Sequence, residues 1–259
     1  QILVQENNLT VIPTEKELKS SSLLSFKNVT FSYVPDKEIL SNVSFDLERG
    51  KTYAFVGPTG GGKTTTASLI ARLYDPNSGQ ILLNGVDIRS LDAGVRSAKI
   101  GFILQEPFLF TGTIRDNILY GNECFNDLSD DELMKELREV RLDGLLERFE
   151  GGLTAEIKST GEGISLGQRQ ILAFIRAVIR RPDLLILDEA TANIDTVTEQ
   201  LLDDILRKLP DSTTRIIIAH RLNTIENADE IYFVNSGQVT KAGSMQDAVE
   251  LLLHGKRES

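Results

Sequence analysis

Cysteine is almost missing from this sequence: Cys124 is the single one in 259 residues. No disulfide can form within the chain, and a zinc site built on cysteines is disfavoured. Cys124 itself reads as a bystander in a polar loop. Basic charge is also in deficit. Lys and Arg number 28 against 38 Asp and Glu, a formal net charge of -10. Such a chain is poorly suited to gripping nucleic acid through its phosphates, so no nucleic-acid partner is expected. Phosphate binding as such stays open, because a nucleotide site needs only local positive charge. No apolar run approaches the ~18–20 residues that cross a bilayer. The first eight residues lack the basic start and long apolar core of a signal peptide. They also lack an initiating Met, which fits a piece of a longer chain, or a separately encoded subunit after processing. Internal repeats and low-complexity tracts are absent.

What is present is ordinary for a globular chain. Hydrophobic residues make up 41 % and charged residues 25 %, which is ample for a buried core. Length alone allows one large domain or two small ones. Residues 1–21 are polar and irregular and read as a linker or a leading strand. Leu24–Val34 alternates apolar with polar, as a half-buried strand does, and Ile39–Leu47 repeats the pattern after Pro35-Asp36. The two are expected to pair antiparallel. Short apolar runs follow at Tyr53–Val56, Ile100–Leu104, Leu184–Leu187, Ile216–Ala219 and Ile231–Val234. Runs of this kind suit strands buried on both faces of a parallel sheet. Helices are predicted over Lys63–Leu73, over Ser165–Arg180 with a stop at Pro182, and over Thr198–Leu209 with a stop at Pro210. In the insertion at 129–149, Ser129 and Glu132 form a capping box before Leu133, Leu137 and Val140 at helical spacing. The pattern is an α/β core with a helical insert.

Gly57-Pro58-Thr59-Gly60-Gly61-Gly62-Lys63-Thr64 matches the phosphate-loop pattern G-x-x-x-x-G-K-[ST], after an apolar strand and at the start of a helix. Glycines let the backbone curl and approach phosphates with no Cβ in the way. The loop N–H groups and the helix N-terminus then face negative charge. Lys63 is expected to reach the β- and γ-phosphates, and Thr64 to offer its hydroxyl to Mg2+; Thr65, next on the helix, is counted with the ATP-binding residues. Leu184–Leu187 ends in Asp188-Glu189, which places two carboxylates at a strand's C-terminal end, where open α/β sheets bind ligands. Asp188 would hold the metal's water shell, and Glu189 would polarise the attacking water.

These residues, in this order, resemble the ABC (ATP-binding cassette) ATPase family over residues 24–245. The resemblance implies a P-loop NTPase (RecA-like) core, an antiparallel β subdomain and a helical signature subdomain at about 112–181. The ATPase domain would span 22–250, with a tail at 251–259. Its cofactors would be ATP and Mg2+. Ile164-Ser165-Leu166-Gly167-Gln168 is similar to the family signature L-S-G-G-Q, which contacts the ATP of a second subunit. Tyr33 looks like the aromatic residue that stacks on adenine. Gln105 looks like the Q-loop glutamine that touches Mg2+ and relays nucleotide state, Asp195 like the D-loop aspartate at the dimer interface, and His220 like the switch histidine on the γ-phosphate. Family members work as head-to-tail dimers, each ATP held between one phosphate loop and the other signature.

Gln105–Phe110 and Thr113–Ile118 resemble exporter text that contacts the coupling helices of a transmembrane domain. The resemblance thus implies a transporter at the cytoplasmic face of the cell membrane. Residues 1–21 would be the linker from a preceding transmembrane domain. Two positions depart from the pattern. Leu166 replaces the first signature glycine, where a side chain crowds the approach to phosphate. Ser159 stands where exporters often carry an acid. Lys63, Asp188, Glu189 and His220 fit the family. The expectation is a chain that hydrolyses its own ATP but completes its partner's site poorly, as half of an unequal pair. A homodimer tolerating Leu166, a soluble non-transport ABC ATPase and a regulatory subunit with little hydrolysis are the alternatives.

Overall fold

Simple alternation does not describe the first strand. In the computed structural model, which describes residues 9–13, 21–104, 107–157, 163–188, 196–218, 227–243, 246, 247 and 250, β1 (Ser22–Ser32) buries Leu23, Leu24, Ser25 and Phe26 in succession. A run of this kind belongs to a strand covered on both faces. β2 (Glu38–Glu48) does alternate, burying Leu40, Val43, Phe45 and Leu47. The two pair antiparallel, as the sequence predicts, with register shifts between Phe26 and Val29 and between Val29 and Phe31. Asn28 and Asn42 both take φ 50 there, and the Asn28 amide donates to Asn42 Oδ1 at 2.9 Å. Asparagine enters this left-handed region more readily than other side chains, which suits it to a bulged ladder.

The chain divides into two compact units, residues 1–96 with 214–259, and residues 97–213. The first continues with β3 (Thr52–Val56), α1 (Lys63–Ile70), β4 (Ser78–Leu83) and β5 (Val86–Asp87), and α2 (Ala93–Lys99) leads out of it. The second holds β6 (Ile100–Ile103), β7 (Gly112–Thr113), α3 (Ile114–Leu119), α4 (Asp130–Glu139), α5 (Asp143–Leu146), β8 (Glu156–Ile157), α6 (Leu166–Val178), β9 (Leu184–Asp188) and α7 (Thr196–Arg207). β10 (Thr214–Ile218), β11 (Glu230–Asn235) and β12 (Gln238–Ala242) return to the first unit. There an antiparallel sheet runs β2-β1-β4-β5. β3 pairs in parallel with both β10 and β11, and β12 folds back antiparallel on β11. In the second unit β6 and β9 pair in parallel. This is the α/β class expected, with P-loop-type parallel strands, a separate antiparallel sheet and a helical insertion. Among the described residues no helix is long and apolar enough to cross a membrane.

An aromatic core joins the two sheets of the first unit. Phe45 of β2 lies 5.9 Å from Phe55 of β3 and 5.5 Å from Tyr232 of β11, centroid to centroid. The Tyr232 hydroxyl donates to Asp46 O at 3.2 Å, and Tyr53 takes an N–H from Glu48 at 2.6 Å. Burial, which disfavours the phenolate, pushes both phenols up to about 12. In the second unit the Ser129–Glu132 capping box forms as read, and Leu133 and Leu137 are buried.

The predicted helix over Lys63–Leu73 ends three residues early, at Ile70. Arg72 takes φ 52, its N–H bonds Leu69 O at 3.0 Å, and the Leu73 N–H bonds Ser68 O at 2.9 Å. That is a Schellman turn with arginine where glycine is usual. The left-handed backbone costs a non-glycine residue roughly 1–2 kcal/mol. The guanidinium offsets this. It is 1 % exposed and donates to Asp75 Oδ1 at 2.9 Å, Arg89 O at 3.1 Å and Thr10 O at 2.8 Å. Arg72→Ala is expected to lower stability by about 2–4 kcal/mol, because two carbonyls lose a charged donor. The urea midpoint of the variant checks it.

Candidate functional site

β3 is buried at all five positions and delivers the chain into residues 57–62. Here the glycines serve the fold as much as any ligand. Gly57 takes φ 147, and a Cβ on it would lie 2.0 Å from the Val234 carbonyl oxygen of β11. A Cβ on Gly61 would lie 2.6 Å from the same oxygen. The loop therefore rests directly on the end of β11, and only glycine lets it do so. Gly61 N–H closes the curl on Pro58 O at 3.1 Å. Gly62, at φ 113, caps α1 without a side-chain hydrogen bond, so no capping side chain occupies the start of the helix. Pro58, Thr59 and Gly60 are exposed.

Lys63 is 5 % exposed. Its Nζ donates to Gly57 O at 2.9 Å and Pro58 O at 3.0 Å. The ammonium is thereby fixed inside the curl of the loop. Thr64 is the exposed residue of an otherwise buried α1, so its hydroxyl is open to a ligand. The Thr66 hydroxyl bonds Gly62 O at 2.9 Å and is spent on the helix. Thr65 is buried and accepts from the Tyr33 hydroxyl at 3.2 Å. An uncapped helix N-terminus, a fixed cation and a Cβ-free curl form a chemical complement to a polyphosphate.

Tyr33 is 48 % exposed, which leaves a flat face to solvent. Its ring stands perpendicular to two others, Phe31 at 4.9 Å and Tyr74 at 5.1 Å, each at 86°. The sequence reading found Tyr33 and missed Tyr74. The local text Leu73-Tyr74-Asp75 carries no phosphate or base signal of its own.

The second unit holds the remaining described positions. Leu184–Leu187 are buried and end at Asp188, itself 4 % exposed. Ser165 caps α6 in a capping box. Its hydroxyl accepts from the Gln168 N–H at 3.1 Å, while Gln168 Oε1 accepts from the Ser165 N–H at 2.9 Å. The Gln168 amide also donates to Arg148 O at 2.8 Å. Leu166 and Gly167 are the first residues of the helix and half-buried. The four signature positions are thus held at a helix start by their own hydrogen bonds.

The other end of α6 organises the segment predicted to meet coupling helices. Arg176 donates to Asn117 O at 2.7 Å and Phe108 O at 3.1 Å. Asn117 in turn spans Phe110, accepting from its N–H and donating to its carbonyl, both at 2.9 Å. Burial, and then the Arg180 charge, bring Arg176 down to about 10, which leaves it cationic at neutral pH. Phe108 is 65 % and Tyr120 54 % exposed, with the Phe110 ring tilted at 31° to that of Tyr120, 3.8 Å between centroids. Thr113 caps α3 through a box with Asp116, a signal not used in the sequence reading. Cys124 is exposed in a turn at Glu123–Phe125. Gln105, Ser159, Glu189, Asp195, His220 and the tail at 251–259 lie outside the described residues.

The chain matches the family model described as ABC transporter over residues 40–192. It is 43 % identical over 226 residues to an uncharacterized ABC transporter ATP-binding protein, YfiC, of Bacillus subtilis, covering 87 % of this chain and 37 % of that one. It is 40 % identical over 221 residues to a fatty acid ABC transporter ATP-binding/permease protein of Mycobacterium bovis, covering 85 % and 34 %. Among solved structures it is similar to a bacterial Atm1-family ABC exporter with ATP bound, at TM-score 0.77 and 35 % identity, covering 88 % of this chain and 40 % of that one. The chain therefore spans 34–40 % of the length of these relatives.

Proposed function

Because the chain belongs to the ABC transporter family, as its ATP-binding ATPase domain, we propose that it hydrolyses MgATP in a head-to-tail pair with a second such domain and so drives export across a membrane. The observation that carries this is the β3–α1 loop. Its Lys63 ammonium is fixed among loop carbonyls at 2.9 and 3.0 Å, beneath an uncapped helix N-terminus. In this reading Gly57–Thr65 hold the triphosphate, with Lys63 against the β- and γ-phosphates, and Tyr33 stacks on adenine. Thr64, Gln105 and Asp188 hold Mg2+, directly or through its water shell. Bound Mg2+ would supply positive charge that offsets the charge developing on the phosphate oxygens. Glu189 accepts the proton of the attacking water, and His220 orients toward the γ-phosphate. Ser165, Leu166, Gly167 and Gln168 face the partner's ATP, with Asp195 at the interface.

The M. bovis relative is named an ATP-binding/permease protein and the solved neighbour an exporter. Both support a membrane domain, fused or separate; in this reading its coupling helices dock near Phe108, with this chain at the cytoplasmic face of the cell membrane. Leu166 supports an unequal pair. It opens α6 in place of a glycine, and its side chain would stand between the helix N-terminus and the partner's phosphate. A non-identical second domain would then supply the better signature. The test is turnover across a wide range of chain concentration, for the native chain and for Leu166→Gly. The native chain alone is expected to bind MgATP and turn over slowly. Leu166→Gly is expected to raise turnover at least about tenfold, ~1.4 kcal/mol of barrier, and to make it climb more than linearly with concentration. Superlinear turnover of equal size in both would refute the unequal pair. Strictly linear turnover in both would refute the sandwich.

A further inference from the structure

We propose that Tyr74 is a positioning residue of the nucleotide site, holding the Tyr33 ring at the angle from which a base stacks on it. The proposal rests on the assignment of Tyr33 to the adenine.

An exposed tyrosine normally samples several rotamers, and a ligand that stacks on it must first freeze one. Tyr33 is constrained on three sides. Phe31, 4 % exposed, lies against it at 4.9 Å and 86°. Tyr74 meets it at 5.1 Å and 86°. Its hydroxyl reaches Thr65 on the phosphate-loop helix at 3.2 Å. Edge-to-face pairs of this geometry are individually favourable. Phe31 also touches Tyr74, at 5.7 Å, so the three rings form one closed cluster. Phe31 is its buried floor, while Tyr33 and Tyr74 remain 48 % and 43 % exposed.

The position of Tyr74 is itself fixed by the backbone. It follows directly on the Schellman turn that ends α1, and the Arg72–Asp75 ion pair at 2.9 Å brackets it on both sides. The helix that begins at the phosphate loop therefore ends by presenting the ring that steadies Tyr33. Phosphate and base recognition are tied to one rigid element. Tyr74 needs only its ring for this, since contact through the ring edge or face involves no hydroxyl.

The experiment measures affinity of the full 259-residue chain for MgATP and, separately, for magnesium tripolyphosphate, which has no base. Tyr74→Ala is expected to raise the Kd and KM for ATP about 3–10-fold, with kcat unchanged, because a base contact acts equally on ground and transition states. Tripolyphosphate affinity is expected to stay put, and Tyr74→Phe to behave as the native chain. Tyr74→Leu serves in place of Ala if the latter fails to fold, since it keeps apolar contact and loses the ring. Equal losses for both ligands would overturn the proposal by showing a structural defect. ATP affinity unchanged in Tyr74→Ala but weakened in Tyr33→Ala would overturn it while sparing the Tyr33 assignment. ATP affinity unchanged in Tyr33→Ala would overturn both.

Discussion

Glu189→Gln is expected to cut steady-state ATP turnover by about 10²–10⁴-fold while leaving MgATP binding intact or tighter. Leu184–Leu187 are buried and end at Asp188; the C-terminal ends of such strands are where open α/β sheets bind ligands, and Glu189 is the next residue in the sequence. In the proposed role a carboxylate would do what a carboxamide of the same shape cannot: accept a proton from water as the water attacks. Loss of that basicity removes an interaction made in the transition state and not in the ground state, which lowers kcat without raising Kd. Removal of a negative charge near a triphosphate also relieves repulsion, so affinity should hold or rise. Phosphate release and equilibrium binding of ATP, measured on the same preparation, check both halves. Turnover within threefold of the native chain would refute the assigned role.

The sequence made the phosphate loop legible because chemistry and backbone constrain the same residues. Glycine at 57 and 61 is demanded by the Val234 carbonyl oxygen as well as by a phosphate's approach, and the two demands coincide in one text. The parallel strands were legible as apolar runs, and the Ser129–Glu132 box as a cap. Two hairpins were not. Asn84-Gly85, at φ 55 and 78, joins β4 to β5, and Ser236-Gly237, at φ 48 and 76, joins β11 to β12. Paired positive φ values fit type I′ turns, for which Asn-Gly is a recognised signal; the strands beyond them are short and carry little pattern. The early end of α1 was hidden for a different reason. Arginine is a good helix former, and nothing local says that Arg72 will leave the helix. It does so because Asp75, Arg89 O and Thr10 O gather its guanidinium, and two of those three partners lie far away in sequence. Tyr74 was missed on the same ground, since its role depends on which rings it meets.

Lys63→Ala is expected to fail at the opposite step from Glu189→Gln: ATP affinity should fall by about 100-fold or more. The ammonium is 5 % exposed and is held by Gly57 O and Pro58 O at 2.9 and 3.0 Å, which fixes its charge inside the loop, where a phosphate would meet it. A hydrogen bond to a charged group contributes about 1.5–3 kcal/mol, and one to an anion from a cation lies at the strong end. The two carbonyl oxygens would then point at a tetra-anion with no cation between, which adds repulsion to the lost attraction. A total near 2.7 kcal/mol is two decades of Kd. Arginine is a poor rescue. Its planar fork is a poor replacement for a compact ammonium that meets Gly57 O and Pro58 O at 2.9 and 3.0 Å. Titration of MgATP by calorimetry on Lys63→Ala and Lys63→Arg checks this, with Glu189→Gln as the binding-competent control. An affinity in Lys63→Ala within threefold of the native chain would mean that the loop amides hold the phosphates alone, and that the buried ammonium serves the loop's own curvature.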